Sequence, residues 1–211
     1  GTNDTLQVTY ANADLRENVE TEAITFTNME RVLLDGTANA VTATFSSTQV
    51  NAAMLSAPYW KLESTGANDT IFKIIMDTAN LDLTNLVLNA ASWNQDQGTD
   101  KVQIDGTEVS NIIVGSSGKD LIYSGDGGDD TISAGDGDDT VVMHSGGTGS
   151  LFESDIAVDG GAGYDTLEVG SGSGDGSDWD DVTNFEKINV NGTADVDITA
   201  ASTLATVGKS L

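Results

Sequence analysis

A nine-residue repeat rich in glycine and aspartate constrains this chain more than any other feature. Its regular units are GSSGKDLIY (115–123), GDGGDDTIS (125–133), AGDGDDTVV (134–142) and GGAGYDTLE (160–168). In every unit an aspartate lies two residues before an aliphatic residue. These aliphatic residues are Ile122, Ile132, Val141 and Leu167. Because the end of each unit is β-prone and its glycines permit a tight turn, each unit predicts a turn followed by a short strand.

Less regular copies of the same frame precede these units. GTDKV at 98–102 and VSNII at 109–113 keep the spacing, although Asn111 replaces the aspartate and Val109 the glycine of the second copy. The aspartate-equivalent positions are 100, 111, 120, 130, 139 and 165. Most steps are close to nine residues, but the last is 26 (165 − 139 = 26). We interpret it as one unit of nine plus an inserted loop at about 143–159.

Negative charge in the repeat block has no basic residue to balance it. The chain has 34 acidic and 8 basic residues, a formal net charge of −26, and no Lys or Arg occurs between Lys119 and Lys187. Carboxylates about 4 Å apart repel each other by ~4 kcal/mol at an effective dielectric constant of about 20. We therefore expect the block to fold only with a bound cation. The alternative, a solvated acidic linker, would not keep aliphatic residues in register.

The pattern Gly-Gly-x-Gly-x-Asp-x-aliphatic-x resembles the nonapeptide of the RTX (hemolysin-type calcium-binding repeat) family. Carbonyl and carboxylate oxygens suit Ca²⁺, whereas Mg²⁺ requires a stricter octahedron. The chain has no cysteine and a single histidine, His144, which excludes thiolate zinc sites and HExxH-type zinc proteases. The resemblance implies an all-β fold, a right-handed parallel β-solenoid or β-roll, whose turns bind two or more calcium ions.

The same resemblance implies which residues hold calcium. Two units form one coil of such a roll, so stacked turns come from alternate units. The implied pairs are turn 115–120 with turn 134–139, and turn 125–130 with turn 160–165. The implied carboxylate ligands are Asp120 with Asp139, and Asp130 with Asp165. The implied carbonyl ligands lie near Gly115, Ser117, Gly118, Gly125, Gly128, Gly135, Gly137, Gly161 and Gly163. Because Asn111 replaces an aspartate, any calcium site that precedes the pair of Asp120 and Asp139 is expected to be weaker.

A second, longer repeat lies outside the nonapeptides. TNMERVLLDGTA at 27–38 aligns without gaps with TNFEKINVNGTA at 183–194, with six identical residues. Similar leads precede the two copies, NDTLQV at 3–8 and YDTLEV at 164–169. Such units bury a face only by stacking on neighbours, so they predict further β units on both sides of the roll.

The two repeats divide the chain into three parts. These are β-rich solenoid-like units with one short helix at 1–97, the calcium-binding roll at 98–168, and a terminal β unit at 169–211 that repeats 27–38. The helix is expected in SSTQVNAAMLSAP at 46–58. Its predicted cap is Ser47 or Thr48, its apolar face is Val50, Met54 and Leu55, and Pro58 ends it.

Catalytic arrangements are weakly indicated, and we expect a protein that is not an enzyme. His144 lies beside serines, but no nucleophile elbow or third partner is recognisable, so a surface histidine is the favoured interpretation. Carboxylates this dense predict metal binding before a glycosidase pair. GDGSDWDD at 174–181 is a further candidate calcium loop without EF-hand spacing. Its possible oxygen donors are Asp175, Asp178, Asp180 and Asp181.

The acidic charge argues against nucleic acid or anionic membranes as partners. No apolar run approaches the ~20 residues that span a bilayer. The RTX resemblance implies a secreted, extracellular bacterial protein, exported unfolded by a type I system and folded by external calcium. The start within a pattern at GTNDTLQV suggests a fragment of a longer chain.

Both repeat types together, with one proline and no cysteine, are similar to bacterial S-layer proteins and large RTX adhesins. That similarity implies a calcium-binding structural segment at the cell surface. Its expected partners are further copies or neighbouring surface-protein chains, and a cell-surface polysaccharide. The alternative is a C-terminal export and folding module of a type I-secreted enzyme.

Overall fold

The chain forms a parallel, all-β structure. The computed structural model describes residues 4–16, 26, 29–56, 60–93, 100–143, 157–169, 173–174, 181–190 and 195–196. Within these residues most of the chain is β-strand, and there is one helix. That helix is too short to cross a membrane. The expected all-β class with parallel sheets is confirmed.

Nineteen strands and one helix make up the described structure. The strands of the first half are β1 Thr5–Val8, β2 Asn12–Asp14, β3 Arg31–Gly36, β4 Val41–Ser46, β5 Trp60–Gly66, β6 Thr70–Ile75, β7 Asn80–Asp82, β8 Leu86–Leu88 and β9 Asp100–Asp105. The later strands are β10 Ile112–Val114, β11 Asp120–Tyr123, β12 Thr131–Ser133, β13 Thr140–Met143, β14 Ala157–Asp159, β15 Thr166–Val169, β16 Ser173–Gly174, β17 Val182–Thr183, β18 Lys187–Val190 and β19 Asp195–Val196. The helix α1 is Ser47–Ser56.

Three parallel sheets carry the architecture. The largest has eight strands in the order β18-β15-β13-β11-β9-β6-β4-β2. A five-stranded sheet has the order β17-β14-β12-β10-β7, and a four-stranded sheet the order β1-β3-β5-β8. From β9 to β15 the chain alternates between the eight-stranded and five-stranded sheets, so two strands and two turns make one coil. The eight-stranded sheet crosses both predicted boundaries, at 97/98 and 168/169.

Aliphatic side chains stack in register along both sheets of the coiled region. The stacked residues of the eight-stranded sheet are Ile104, Ile122, Val141 and Leu167. Those of the five-stranded sheet are Ile113, Ile132 and Val158. All seven are at most 1% exposed. The inward positions predicted from the nine-residue period are therefore confirmed, because side chains alternate between the two faces of a strand.

An aromatic cluster forms the core of the N-terminal half. Phe45, Trp60 and Phe72 come from β4, β5 and β6, and each is at most 1% exposed. Their ring centroids lie 4.9–6.0 Å apart. Phe26 adds an edge contact with Phe45 at 5.5 Å. Ring pairs at these separations contribute beyond their buried area, so this half has a thick hydrophobic core.

The predicted helix is present, but its cap and its buried face differ from the expectation. Ser46, and neither Ser47 nor Thr48, is the N-cap, since its hydroxyl accepts from the Gln49 N–H and its own N–H donates to Gln49 Oε1. Val50 and Ala53 are fully buried, while Met54 is half-buried. The Leu55 side chain and Pro58 lie outside the described residues.

The helix packs beside the free edge of the five-stranded sheet. Within the described part of the chain, strand β7 is the last strand of that sheet and pairs with β10 alone. The Asn51 amide of α1 donates a hydrogen bond of 3.0 Å to the backbone carbonyl of Asn80, the first residue of β7. The Ser47 hydroxyl also donates to Asp77, just before β7, at 2.8 Å. The helix thus covers the start of this edge strand.

The two copies of the long repeat adopt the same strand pairing. β1 pairs with β3 so that Thr5 lies opposite Arg31. β15 pairs with β18 so that Thr166 lies opposite Lys187, the equivalent pair in the second copy. The predicted stacking of these units is confirmed at both ends of the described structure.

Candidate metal centre

The turns that link the sheets stack on two sides of the coiled region. Turns 115–120, 134–139 and 160–165 lead from the five-stranded to the eight-stranded sheet and form the first side. Turns 106–111 and 125–130 lead in the other direction and form the second side. The predicted pairing of turn 115–120 with turn 134–139 is confirmed by the register of β11 and β13.

The predicted pairing of Asp130 with Asp165 is wrong. Strand register places Asp139 between Asp120 and Asp165 on the first side, and it places Asp130 beside Asn111 on the second side. The error comes from the 26-residue step. Residues 157–159, expected to lie within an inserted loop, form β14 and pair with β12. The 26-residue step therefore includes a complete strand, β14, that the prediction had placed inside a loop.

Asp100 does not occupy the position expected for it. Asp120 lies opposite Val102, so the frame at GTDKV is displaced by two residues. The Asp100 carboxylate instead accepts hydrogen bonds from the Ser64 hydroxyl at 2.5 Å and the Thr70 hydroxyl at 2.6 Å. Its role is to join β5, β6 and β9 by hydrogen bonds.

A column of buried carboxylates runs through the first side. The Asp120 N–H donates to Asp139 Oδ1 at 2.8 Å, and the Asp139 N–H donates to Asp165 Oδ1 at 2.8 Å. The Asp165 N–H in turn donates to Glu186 Oε2 at 2.7 Å. All three aspartates are at most 1% exposed. The carboxylates of Asp139, Asp165 and Glu186 therefore each accept from a backbone N–H of the preceding coil, and the acids are stacked one coil apart.

Glu186 extends the column, and the sequence analysis did not identify it. The Asp165 carbonyl accepts from the N–H groups of both Glu186 and Lys187, each at 3.1 Å. The first copy of the long repeat makes the same contacts, since the Asp4 N–H donates to Glu30 Oε2 at 2.8 Å. The aligned Asn-x-Glu of the two copies was the signal that could have revealed this role.

The second side has a shorter version of the same arrangement. The Asn111 N–H donates to Asp130 Oδ1 at 2.8 Å, and the Asp130 side chain is buried. Asn111 occupies the position that an aspartate holds elsewhere, so these two turns contribute one carboxylate where turns 115–120 and 134–139 contribute two.

Burial makes these carboxyl groups hard to ionise. Desolvation, together with the charges of Asp165, Asp138 and Asp136, raises the pKa of Asp139 to about 7 against the opposing hydrogen bond from Asp120. Desolvation likewise raises the pKa values of Asp130 and Asp165 to about 6.

The pKa of Asp120 also lies well above its usual range, because the group is desolvated and faces the Asp139 charge. The charges that raise the pKa values of these four aspartates are all carboxylates. A cation bound next to one of these carboxylates would lower its pKa and so oppose the shift.

Two carboxylate oxygens in the column lack a hydrogen-bond partner. Asp139 Oδ2 and Asp165 Oδ2 are buried and make no hydrogen bond among the described residues. Buried carboxylate oxygens are normally satisfied by donors or by a metal ion. These two atoms therefore fit the role of calcium ligands.

Glycine backbones bring the stacked turns into direct contact. Gly161 and Gly163 have φ values of +93° and +149°. Residues with a Cβ atom rarely adopt positive φ, whereas glycine does so readily. A Cβ atom on Gly161 would lie 1.9 Å from the Gly135 carbonyl oxygen, and one on Gly163 would lie 1.8 Å from that of Gly137. The Ala162 N–H also donates to the Gly135 carbonyl at 2.9 Å. Carbonyl groups thus line the contact between turns 134–139 and 160–165.

The remaining predicted carbonyl positions fall into two groups. Gly125, Gly128, Gly135 and Gly137 also have positive φ. Gly115 and Gly118 do not, and Ser117 between them is exposed. Turn 115–120 therefore has a different backbone conformation from the two turns that stack after it.

Side-chain clusters rich enough to hold a metal unaided are absent from the described residues. No three or more His, Asp or Glu side chains converge there. A calcium ion in these turns would therefore take carbonyl oxygens together with one or two carboxylates, which is the predicted donor set. The other candidates, His144 and the loop residues Asp175, Asp178 and Asp180, lie outside the described residues.

Comparison with known proteins provides no relative. No protein-family model, no curated protein and no solved structure matches this chain. The RTX resemblance and the ligand assignments therefore stay predictions based on the repeat and on the geometry above.

Proposed function

We propose that this chain is a calcium-binding structural segment of a secreted bacterial cell-surface protein, of the S-layer or adhesin type. Its coiled region is a right-handed parallel β-roll that folds and assembles on extracellular calcium. The observation that carries the proposal is the buried carboxylate column Asp120–Asp139–Asp165, in a stretch where the sequence supplies no Lys or Arg between Lys119 and Lys187.

The proposed ions lie in two turns of the first side, 134–139 and 160–165, which we call the glycine turns. Asp139 and Asp165 supply the carboxylates, because each has a buried oxygen without a hydrogen-bond partner. Carbonyl groups of the stacked turns, including Gly135 and Gly137, supply further oxygens. Calcium accepts six to eight oxygen ligands at flexible geometry, so it suits a cage made mostly of backbone. Each ion would neutralise charge that otherwise opposes folding.

A structural role is supported by the continuity of the eight-stranded sheet. The same sheet extends from β2 through the coiled region to β18, so the coils with glycine turns are an internal part of a longer stack. Ions that order these coils would also connect the long-repeat units on either side. Copies of the same protein, neighbouring surface chains and a surface polysaccharide are the partners that we propose.

Export and folding would be separated by the calcium concentration. In a compartment with little calcium the carboxylates would stay without a counterion and the coiled region would remain unfolded. An unfolded chain suits passage through a type I system. Outside the cell, calcium binding would supply folding free energy, as in other modules whose site exists only in the folded state.

Calcium titration of matched variants tests the proposal. Circular dichroism should show a cooperative gain of β-structure with CaCl₂ and a much weaker response to MgCl₂. Asp139→Asn removes one ligand charge with little change in shape, and it should move the calcium midpoint upward by at least about tenfold, which corresponds to 1.4 kcal/mol. The matched control is Asp136→Asn, which removes the same charge from an exposed residue of the same turn.

The control variant should retain the midpoint of the unmodified protein to within about twofold, since an exposed charge contributes little. An identical spectrum and melting temperature in EDTA and in CaCl₂ would refute the proposed function. Equal shifts in the two variants would refute the assignment of Asp139 as a ligand.

A further inference from the structure

Turn 115–120 is closed internally by a serine hydroxyl. The Ser116 N–H donates to Asp120 Oδ2 at 2.7 Å, and the Ser116 hydroxyl lies 3.0 and 3.1 Å from the two carboxylate oxygens. The same hydroxyl lies 3.3 Å from the Gly118 carbonyl and accepts from the Gly118 N–H at 3.2 Å. Ser116 Oγ thus contacts both carboxylate oxygens and a backbone carbonyl of its own turn.

Turn 106–111, on the second side, is closed in the same way. The Thr107 N–H donates to Asn111 Oδ1 at 2.8 Å, and the Thr107 hydroxyl donates to the same oxygen at 3.0 Å. The hydroxyl is also 3.1 Å from the Val109 carbonyl and accepts from the Val109 N–H at 3.3 Å. Thr107 and Ser116 each lie four residues before the Asn or Asp that they bind, so the two turns share one design.

The glycine turns of the first side lack this hydroxyl. Four residues before Asp139 and Asp165, the equivalent positions are Gly135 and Gly161. Both glycines have positive φ, whereas no residue of turns 106–111 and 115–120 does, and both of those turns are fully described. The unpaired oxygens in the column belong to Asp139 and Asp165, while Ser116 binds both oxygens of Asp120.

We propose that the hydroxyl groups of Ser116 and Thr107 take the place of calcium in their turns, so that the first coil of the roll folds without metal. Its turns 106–111 and 115–120 would serve as a preformed template on which the metal-dependent turns 134–139 and 160–165 assemble. The inference rests on the proposed function, because it assigns calcium to the glycine turns alone. It identifies one side-chain position, four residues before the acid, as the determinant of metal dependence.

Charge and packing both support a metal-independent first coil. On the second side Asn111 is neutral, so its turn has no buried carboxylate to neutralise, and Glu108 of that turn is exposed. On the first side the Asp120 carboxylate receives donors from both the backbone and the side chain of Ser116. The coil also pairs with strands that precede the glycine turns, since β10 pairs with β7 and β11 pairs with β9. Strand β9 lies in the eight-stranded sheet beside β6, β4 and β2 of the N-terminal half.

Hydrogen exchange of the full chain tests the inference, in EDTA and in CaCl₂. In EDTA the amides of Thr107 and Ser116 should stay protected. Those of Asp139 and Ala162, which donate across the glycine turns, should exchange at least about tenfold faster than in CaCl₂. An absence of any calcium effect would refute the proposed function itself. A calcium effect as large at Thr107 and Ser116 as at Asp139 would leave the proposed function intact and overturn the inference.

Matched variants separate the hydroxyl from general effects of substitution. Ser116→Ala should lose protection of residues 115–123 in EDTA, whereas Ser117→Ala, at the exposed neighbour, should not. Thr107→Val, which keeps the shape of the side chain, should lose protection around turn 106–111, with exposed Thr131→Val as its control. Unchanged exchange in both Ser116→Ala and Thr107→Val would overturn the inference.

Discussion

The two halves of the molecule share one eight-stranded sheet but are stabilised by different interactions. Strands β4 to β6 enclose large aromatic rings, with Phe45, Trp60 and Phe72 in mutual contact. Strands β10 to β15 enclose thin rows of Ile, Val and Leu, and their turns carry buried carboxylates. The comparison teaches that a parallel coil can be completed by apolar volume or, as we propose for the coiled region, by buried carboxylates together with a bound cation.

Truncation of an aromatic core residue should have the largest effect, confined to the N-terminal half. Phe72→Ala removes a fully buried ring and should lower the free energy of unfolding by about 3–5 kcal/mol. Because the described residues of this core include no column of stacked, buried carboxylates, the loss should be the same in EDTA and in CaCl₂. Tyr10→Ala is the control, since Tyr10 is 78% exposed. Chemical denaturation monitored by tryptophan fluorescence measures the difference, and a loss that depends on calcium would break the comparison.

The pH dependence of stability in EDTA should distinguish the two halves of the molecule. In EDTA the folded pKa of Asp139 is about 7 and those of Asp130 and Asp165 are about 6, all above the ordinary value of 3.8. The folded state therefore binds more protons than the unfolded state between about pH 4 and pH 7, and its stability falls as pH rises through that range.

Protection of amides in the glycine turns should accordingly decline from pH 5 to pH 8 in EDTA, after correction for the intrinsic exchange rate. Amides of β4 and β6 should show no such decline. With saturating CaCl₂ the trend in the glycine turns should disappear, because the bound ion favours the ionised carboxylates. A decline of the same size in both halves would show that the carboxylate column is not its cause.

Loss of the helix cap should have the smallest of the three effects. Ser46→Ala removes the hydroxyl that accepts from the Gln49 N–H, and it should lower the free energy of unfolding by about 1 kcal/mol. Ser117→Ala supplies an exposed serine-to-alanine control from the coiled region. Thermal melts with and without calcium measure both variants. A larger loss in EDTA than in CaCl₂ would mean that the helix is coupled to the ions.

The period of the nonapeptide was sufficient to predict the fold class, the buried aliphatic rows and the stacking of Asp120 on Asp139. It failed where the chain departs from that period. Residues 157–159 form a strand that is hidden inside an irregular 26-residue step, so Asp165 was assigned to the wrong side. Asp100 fits the short motif, but β9 begins there and runs for six residues, which displaces the frame by two.

Contacts made by single side chains were harder to predict than strands. Glu186 accepts a hydrogen bond from Asp165, and Ser116 donates one to Asp120. Neither residue fits the glycine-aspartate consensus, and their roles depend on how the turns stack. The helix cap was misplaced by one residue for a similar reason, because Ser46, Ser47 and Thr48 are all suitable by type. The Ser47 hydroxyl donates to Asp77 instead, and Ser46 caps the helix through Gln49.

The helix beside β7 has a consequence for aggregation. A parallel sheet that ends in a bare strand offers its backbone to any extended chain, and repeated β units of one sequence type are especially prone to pair out of order. With Asn51 bound to the first carbonyl of β7, an incoming strand would have to displace α1 before it could add there. The helix thus hinders the addition of a further strand at the start of β7.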